Sequence, residues 1–144
     1  MSSGTAWFVD SSVILRALVN NSTAVQTWFT DCVTRDDEWY GSRMLELEVR
    51  RVLRDTGGNQ ADADVFLDRF HLVTITDDIV DDAIAIPYPL SGADAIHVAT
   101  AITMRALSFT FVTHDAQQAR AVRQENIFEV FDPVTDDPGR PPAA

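Results

Sequence analysis

Hydrophobic and polar positions alternate in short blocks from the start of this chain. Apolar residues fill 6–9, the run stops at Asp10, and apolar residues then recur at helical spacing as far as Leu18. This order predicts a buried strand, an aspartate directly after its end, and then a helix capped by Ser11 or Ser12. Similar β-type runs predict further strands over 38–41, 72–75, 109–113 and 127–131.

Helical periodicity fills the segments between these strands. The third helix has the strongest pattern, because Ser42 can cap its start and a glycine pair at 57–58 follows its end. Strands that alternate with helices predict an α/β fold, in which a parallel sheet is covered on both faces and binds ligands at the carboxyl ends of its strands. The predicted helices cover about 22–33, 43–56, 61–70, 77–84, 92–107 and 116–124.

One domain accounts for this pattern. No repeat or linker divides residues 1–132, whereas 133–144 are rich in proline and acidic residues and are predicted to be a disordered tail. With 144 residues and 46% hydrophobic content, the chain can bury an ordinary core. No apolar run approaches the roughly 20 residues of a membrane span, and the N-terminus does not resemble a signal peptide. We therefore expect a cytoplasmic protein with no membrane partner.

Charge and residue usage exclude several function classes. The net charge of -11 argues against indiscriminate binding to nucleic acid, so any phosphate contact must come from a local cluster of cations. All eleven basic residues are arginine. A Walker-type phosphate loop and a Schiff-base enzyme each require a lysine, so these classes are excluded. The lack of lysine also argues against a third possibility, a phosphatase that forms an aspartyl phosphate or a response-regulator receiver. Cys32, the only cysteine, lies on an apolar helical stripe and is expected to be a core thiol.

The segment 90–101 contains one carboxylate in an otherwise apolar helix. Ser91 is expected to cap this helix, and Asp94 then falls in its first turn. An ionised group that enters a buried element is costly unless it is paired or binds a metal. His97, one turn further on, is expected to be a packed or hydrogen-bonded side chain rather than a base.

The third helix directs a second carboxylate inward. At about 100° per residue, Glu48 falls within the apolar arc, whereas Glu46 lies at its polar margin with Arg50 available as a surface partner. Two interpretations of Glu48 remain open: a functional carboxylate, or a half-buried one that pairs with a structural arginine.

Two more carboxylates follow predicted strands directly. Asp10 and Asp115 should project at the same edge of the sheet, where Asp94 and Glu48 could join them. Like charges at close range oppose folding unless a cation lies between them, and Mg²⁺ or Mn²⁺ prefers such oxygen ligands. Acidic sites of this kind suit phosphodiester hydrolysis. Ser12 and Thr113 stand beside two of the acids as supporting hydroxyls, whereas His114 is expected at the surface.

Four blocks of sequence carry a family resemblance. Residues 8–12 (FVDSS), 42–48 (SRMLELE), 93–101 (ADAIHVATA) and 111–115 (FVTHD) resemble, in order and spacing, the four motifs of PIN-domain ribonucleases, and the VapC toxins of toxin-antitoxin pairs most of all. The resemblance spans about residues 6–132. It implies a three-layer α/β/α sandwich with a mostly parallel sheet, a Mg²⁺-dependent endoribonuclease, a homodimer, and a VapB-type antitoxin that covers the site in a larger complex.

The resemblance also assigns roles to single residues. Asp10, Glu48, Asp94 and Asp115 match the family's acidic quartet, and Asp10 and Asp94 are the foremost metal ligands. Ser12 and Thr113 match the accompanying hydroxyls. His114 is a departure, because relatives often carry an aromatic residue there.

Two hypotheses of different class follow. The leading one is a metal-dependent endoribonuclease toxin that binds its RNA substrate through forked arginine donors on the polar side of the third helix, namely Arg43, Arg50, Arg51 and Arg54. A solubilising face is the alternative for these arginines. The second hypothesis is a catalytically silent PIN-like domain that only binds a basic helical partner through the helix of Trp28 and Phe29.

Overall fold

Five parallel strands form a single sheet within the described part of the chain, residues 4–126 and 128–136 of a computed structural model. The strands are β1 (Ala6–Val9), β2 (Glu38–Ser42), β3 (Phe70–Val73), β4 (Thr110–Val112) and β5 (Val130–Phe131). Their order is β3-β2-β1-β4-β5, and every pairing is parallel. From β1 the chain adds β2 and then β3 on one side of the sheet, and it later adds β4 and β5 on the other side of β1. The direction of strand addition reverses between β1 and β4, which is therefore the switch point of the sheet.

Seven helices connect the strands in the same described residues. They are α1 (Ser11–Leu18), α2 (Thr23–Thr34), α3 (Arg43–Thr56), α4 (Gln60–Leu67), α5 (Asp77–Ala85), α6 (Gly92–Thr103) and α7 (Ala116–Glu125). The predicted α/β class, with three layers and a parallel central sheet, is confirmed.

The alternation of side chains along β1 divides the core between the two faces of the sheet. Val9 packs with Trp28 and Leu45 in a cluster formed by α1 to α4. Phe8 points the other way and packs with Val98 of α6 and Val122 of α7. A third cluster joins α5 to α6. Because both faces are covered, ligands can approach only along the strand ends.

Several predicted helix boundaries are confirmed. Ser22, Ser42 and Ser91 cap α2, α3 and α6, and each hydroxyl accepts a hydrogen bond from a backbone N–H of the first turn. Gly57 ends α3 with φ of 74°, in the left-handed region that glycine adopts without a steric penalty. The order of elements therefore follows the capping and periodicity signals of the sequence.

Other boundaries differ from the prediction. Asp10 itself caps α1, so the predicted cap by Ser11 or Ser12 is wrong. Phe70 begins β3 instead of ending α4, because its apolar side chain suits either element and the pairing of β2 with β3 decides. Helix α6 ends at Thr103, four residues early, and leaves Leu107 exposed.

The last strand is also shorter than predicted, since β5 begins only at Val130. After it, residues 133–136 form a turn in which the Asp132 amide donates to Asp136 and the Val134 amide donates to Asp132. The remainder of the predicted tail, 137–144, lies outside the described residues. Across the described ranges, no helix has the length and apolar character needed to cross a bilayer.

Candidate active site

Asp10 lies at the switch point of the sheet, directly after β1. Its backbone N–H donates to Val112 of β4 at 2.9 Å, which fixes the position of its side chain between the two strands. The residue is 2% exposed. Its Oδ2 accepts hydrogen bonds from the Ser12 hydroxyl at 2.6 Å and from the Thr113 hydroxyl at 3.1 Å. Both predicted supporting hydroxyls therefore hold the same carboxylate oxygen.

The other oxygen of Asp10 is different, because Oδ1 is buried and has no hydrogen-bond partner among the described residues. The nearest cationic group is His97 Nε2, 3.5 Å away, which is already committed to Glu48. Buried carboxylate oxygens are normally satisfied, and one that is not points to an additional ligand.

Glu48 projects inward from α3, as predicted, and is held by two partners. His97 Nε2–H donates to Oε1 at 2.6 Å, and the Ser11 hydroxyl donates to the same oxygen at 2.9 Å. The structural arginine that was one alternative for Glu48 is not its partner. Burial raises the pKa of Glu48, but the hydrogen bond and charge of His97 together with the Ser11 hydroxyl outweigh it, so that this pKa is lowered.

His97 is fully buried, which confirms the expectation of a packed, hydrogen-bonded histidine. Burial lowers the pKa of His97, but the Glu48 hydrogen bond and the charges of Asp10, Glu48 and Asp94 together raise it above its ordinary value. The lowered pKa of Glu48 and the raised pKa of His97 share one cause, the hydrogen bond and charge interaction between the two side chains. Sequence reasoning missed this link, because the two residues are 49 positions apart and lie on helices α3 and α6.

Asp94 begins α6 at the same edge and is half-buried. Burial, and then the negative charges of Asp10 and Asp115, raise the pKa of Asp94 to about 6. Three of the four predicted carboxylates are therefore close enough to repel one another. This repulsion is the electrostatic signature expected of a site that accepts a cation.

Asp115 follows β4 and caps α7. Its Oδ1 accepts from the backbone amides of Gln117 and Gln118, and its own amide donates to the Thr113 hydroxyl. The Gln118 side chain is fully buried and its Nε2 donates to the backbone carbonyl of Asp94 at 3.4 Å. Sequence reasoning missed Gln118, although a glutamine three residues after an acidic cap is the pattern of a capping box.

The donor set fits a hard divalent cation. In residues 4–126 and 128–136, no three acidic or histidine side chains form a closed metal cage. Mg²⁺ does not require one, because it keeps several of its waters and binds through one or two carboxylates. Asp10 offers an unpartnered oxygen and Asp94 a carboxylate under repulsion, whereas Glu48 is occupied by His97 and Ser11.

The prediction that His114 lies at the surface is wrong. Its side chain is 5% exposed and its Nδ1 bonds to Asp132 after β5, while its backbone amide donates to the Ser12 hydroxyl at 3.3 Å. Burial lowers the pKa of His114, against the charge and hydrogen bond of Asp132. The residue therefore links the end of β5 to the carboxylate edge, by which we mean the end of the sheet where Asp10, Asp94 and Asp115 lie.

Most of the four predicted RNA-binding arginines are engaged with carboxylates of the same protein. Arg43 pairs with Glu46 at 2.7 Å, and Arg51 with Asp55 at 3.4 Å. Arg50 pairs with Glu46, as predicted, and also with Asp64 of α4 at 2.7 Å. Arg54 makes no ion pair within the described ranges. All four line a cleft of about 550 Å³ whose apolar wall is formed by Met44, Leu47 and Ile75.

The helix of Trp28 and Phe29 does not present these residues to a partner. Trp28 is fully buried and Phe29 is 3% exposed, so both belong to the core. That part of the binding-module hypothesis is wrong, because the apolar stripe of α2 faces the sheet. Cys32 is also buried, and burial raises the pKa of its thiol far above the ordinary range, as expected for an inert core residue.

Comparison with known protein families identifies the family to which this chain belongs. A model described as "PIN domain" matches residues 7–124, which include most of β1, the carboxylate edge and most of α7. This chain is a PIN-domain protein. The four sequence blocks that carried the resemblance all lie inside the matched region.

Individual relatives agree with this assignment. The PIN domain described here is 26% identical over 122 residues to Ribonuclease VapC47 of Mycobacterium tuberculosis (strain CDC 1551 / Oshkosh), covering 81% of this chain and 90% of that protein.

Solved structures share the fold at lower sequence identity. VapBC2 from Rickettsia felis, bound to a DNA fragment from its promoter, matches with a TM-score of 0.67 at 11% identity, covering 89% of this chain and 98% of that one. A toxin-antitoxin complex from Klebsiella pneumoniae gives 0.63 at 18% identity, covering 90% and 98%. FitAcB from Neisseria gonorrhoeae gives 0.63 at 16%, covering 90% and 99%.

Proposed function

We propose that this PIN-domain protein is a Mg²⁺-dependent endoribonuclease that acts as the toxin of a toxin-antitoxin pair. Membership of the family, the relative named as a ribonuclease, and the carboxylate edge all support the proposal. Mn²⁺ is an alternative metal with similar ligand preference.

One observation carries the proposal. A buried, unpartnered oxygen of Asp10 lies at the switch point of a parallel sheet, beside Asp94, whose pKa neighbouring carboxylates raise to about 6. A purely structural edge would instead satisfy its buried oxygens and separate its like charges. The arrangement is stable at neutral pH only at some cost, which a bound cation would remove.

Some residues of the site would bind the cation, and others hold the carboxylates in position. Asp10 and Asp94 would hold the cation, while Ser12 and Thr113 fix the Asp10 side chain through its other oxygen. His97 and Ser11 keep Glu48 at the inner wall of the site, and Asp115 adds negative charge opposite Asp94. When bound, a divalent cation supplies acidity to an attacking water and neutralises charge on the phosphate.

We infer the protein partners of this chain from its exposed apolar surface and from its structural neighbours. A cleft of about 440 Å³ between α5 and α6 is lined largely by apolar side chains, including Met44, Val80 and Ile84, the last of which is 78% exposed. Exposed apolar patches are typical of interaction surfaces. A homodimer and a complex with a VapB-type antitoxin are consistent with this surface, since the solved neighbour from Klebsiella pneumoniae is described as a toxin-antitoxin complex.

Cleavage of RNA by the purified chain tests the proposal. Total RNA and synthetic oligonucleotides are incubated with the protein in Mg²⁺ or in chelator. We expect internal cleavage that requires the metal and that Asp94→Asn lowers at least a hundredfold, because the substitution removes a charged ligand. Asp81→Asn, an exposed residue of α5, serves as the charge-matched control and should retain activity.

Calorimetric titration of Mg²⁺ into the same proteins provides an independent measurement. No cleavage by a folded, partner-free chain, together with no metal uptake, would contradict the proposal and favour a PIN-like module that acts only by binding protein.

A further inference from the structure

An acidic protein that binds RNA must present an unpaired cation near its cleavage site. The net charge is -11, so long-range repulsion opposes the approach of a polyanion. The three arginines of α3 nearest to Glu48 do not meet this need directly. Arg43, Arg50 and Arg51 each bind a carboxylate of the protein, which offsets most of their attraction for a phosphate. Arg54 forms no ion pair in the described ranges, but it lies in the last turn of α3, well over one helical turn beyond Glu48.

Arg16 has a different environment. It is an exposed residue in the last turn of α1 and forms no ion pair with a carboxylate of the described residues. Helix α1 begins at the capping carboxylate of Asp10, so this helix leads directly away from the carboxylate edge. Arg16 lies four residues after Ser12, and residues at this spacing share one face of a helix.

Ser12, which lies on that face of α1, contacts residues at the carboxylate edge. Ser12 donates to Asp10 at 2.6 Å and accepts from the backbone amide of His114 at 3.3 Å. The positive charge of Arg16 also acts on the buried His114 imidazole, where it helps to lower the pKa. Arg16 therefore lies one helical turn beyond Ser12, on the helix that starts at Asp10, and close enough to His114 for its charge to act on the imidazole.

We propose that Arg16 is a substrate-binding residue that holds a backbone phosphate of single-stranded RNA next to the scissile one. The inference rests on the proposed ribonuclease function and assigns the entry side of the substrate to α1. A guanidinium provides a forked pair of donors that match phosphate oxygens. Because Arg16 forms no ion pair with a carboxylate in residues 4–126 and 128–136, the phosphate does not have to displace one of these pairs.

Binding measurements on a non-cleaving parent test this role. Fluorescence anisotropy of a labelled single-stranded RNA of mixed sequence is recorded with Asp94→Asn, and with Asp94→Asn carrying Arg16→Gln, Arg16→Lys or Arg105→Gln, at several salt concentrations. Arg105 is exposed and follows the distal end of α6, so Arg105→Gln removes the same charge far from the edge.

We expect Arg16→Gln to weaken binding about two- to fivefold, the range of one solvent-exposed ion pair. It should also reduce the slope of log K against log salt by about 0.7, the value for one phosphate contact on a single strand. Arg16→Lys should keep the salt slope, and Arg105→Gln should keep both quantities.

Equal weakening by Arg16→Gln and Arg105→Gln, or a salt slope unchanged by Arg16→Gln, would overturn the role of Arg16 and leave the ribonuclease proposal intact. A parent that binds no RNA, from a wild-type chain that cleaves none, would overturn both. Circular dichroism and thermal unfolding of each variant verify that the proteins compared are folded.

Discussion

At the scale of single residues, Asp94 is the side chain whose ionisation opposes folding most clearly. Its pKa is raised to about 6 in the folded protein, against 3.8 for a free side chain. Folding therefore favours the protonated form. The folded state has no such penalty below about pH 3.8, acquires it between about pH 3.8 and 6, and carries it in full above pH 6.

Asp94→Asn should therefore stabilise the metal-free protein at pH 8. After allowance for solvent screening at this half-exposed position, the gain should be about 1 kcal/mol and should vanish near pH 4. Urea unfolding in chelator at both pH values measures it. Asp81→Asn, at an exposed position, should show no such pH-dependent gain, and a destabilised Asp94→Asn at pH 8 would contradict the assigned repulsion.

The pair of His97 and Glu48 has the opposite effect on stability. The raised pKa of His97 contributes stability that is complete below its ordinary value of 6.5 and is lost as pH rises through the folded value. The buried position and the 2.6 Å hydrogen bond predict a coupling that an exposed ion pair does not reach.

A double-mutant cycle measures that coupling directly. With His97→Ala and Glu48→Ala at pH 6, we expect a coupling free energy of about 1–3 kcal/mol, as for a partly buried charged hydrogen bond. The same cycle for Arg43 and Glu46, which is an exposed pair, should give less than about 1 kcal/mol. Similar values for the two cycles would contradict the structural importance of His97.

At the scale of elements, the residues at the ends of a helix determine where that helix starts and stops. Helix α3 ends at Gly57 with φ of 74°, and a Cβ built there would meet no atom within 4 Å. Gly92, the first residue of α6, has equally open surroundings but no positive φ. Both positions leave room for a methyl group and only Gly57 has a positive φ, so the pair tests the effect of backbone conformation.

Gly57→Ala should therefore destabilise the protein by about 1–2 kcal/mol, the cost of a left-handed conformation for a residue with a side chain. Gly92→Ala should be neutral or slightly stabilising, since alanine suits the start of a helix. Chemical unfolding of both variants checks this. Equal effects would show that space, and not backbone strain, controls these positions.

The accuracy of the sequence prediction also varies from element to element. Helix α3 was placed correctly, because a capping serine and a terminal glycine define its ends locally. The boundary between α4 and β3 was misplaced, since Phe70 suits both elements and only the pairing with β2 separates them. Local sequence signals therefore predict which elements form, whereas strand pairing in the folded protein determines where some of them begin and end.

The same distinction applies to the candidate site. The positions of Asp10 and Asp115 after strands could be predicted, because parallel strands end at one edge. The contacts of His97 and Ser11 with Glu48, and of Gln118 with the Asp94 backbone, could not. These bonds join segments that are distant in the sequence, and no local pattern predicts which side chains meet.

At the scale of the whole molecule, two electrostatic effects overlap. The excess of acidic residues produces general self-repulsion that any salt screens. The carboxylate edge adds a local repulsion that only a bound cation removes efficiently. A comparison of monovalent and divalent salts separates the two effects.

We expect MgCl₂ to raise the melting temperature of the wild-type protein more than NaCl does at equal ionic strength. An excess of about 1 kcal/mol corresponds to roughly 3 °C for a domain of this size. The double variant Asp10→Asn, Asp94→Asn should lose this excess but keep the response to NaCl. Scanning calorimetry measures both, and an excess that persists in the double variant would place the metal elsewhere.

The order of the strands also has a consequence for the protein during its synthesis. Asp10 is made early, yet the Thr113 hydroxyl that orients it comes from a residue 103 positions later. β1 pairs with β4 through an equally long loop of chain, and such contacts form late in folding. A nascent chain on the ribosome, surrounded by RNA, therefore carries no assembled site until the residues after β4 have emerged.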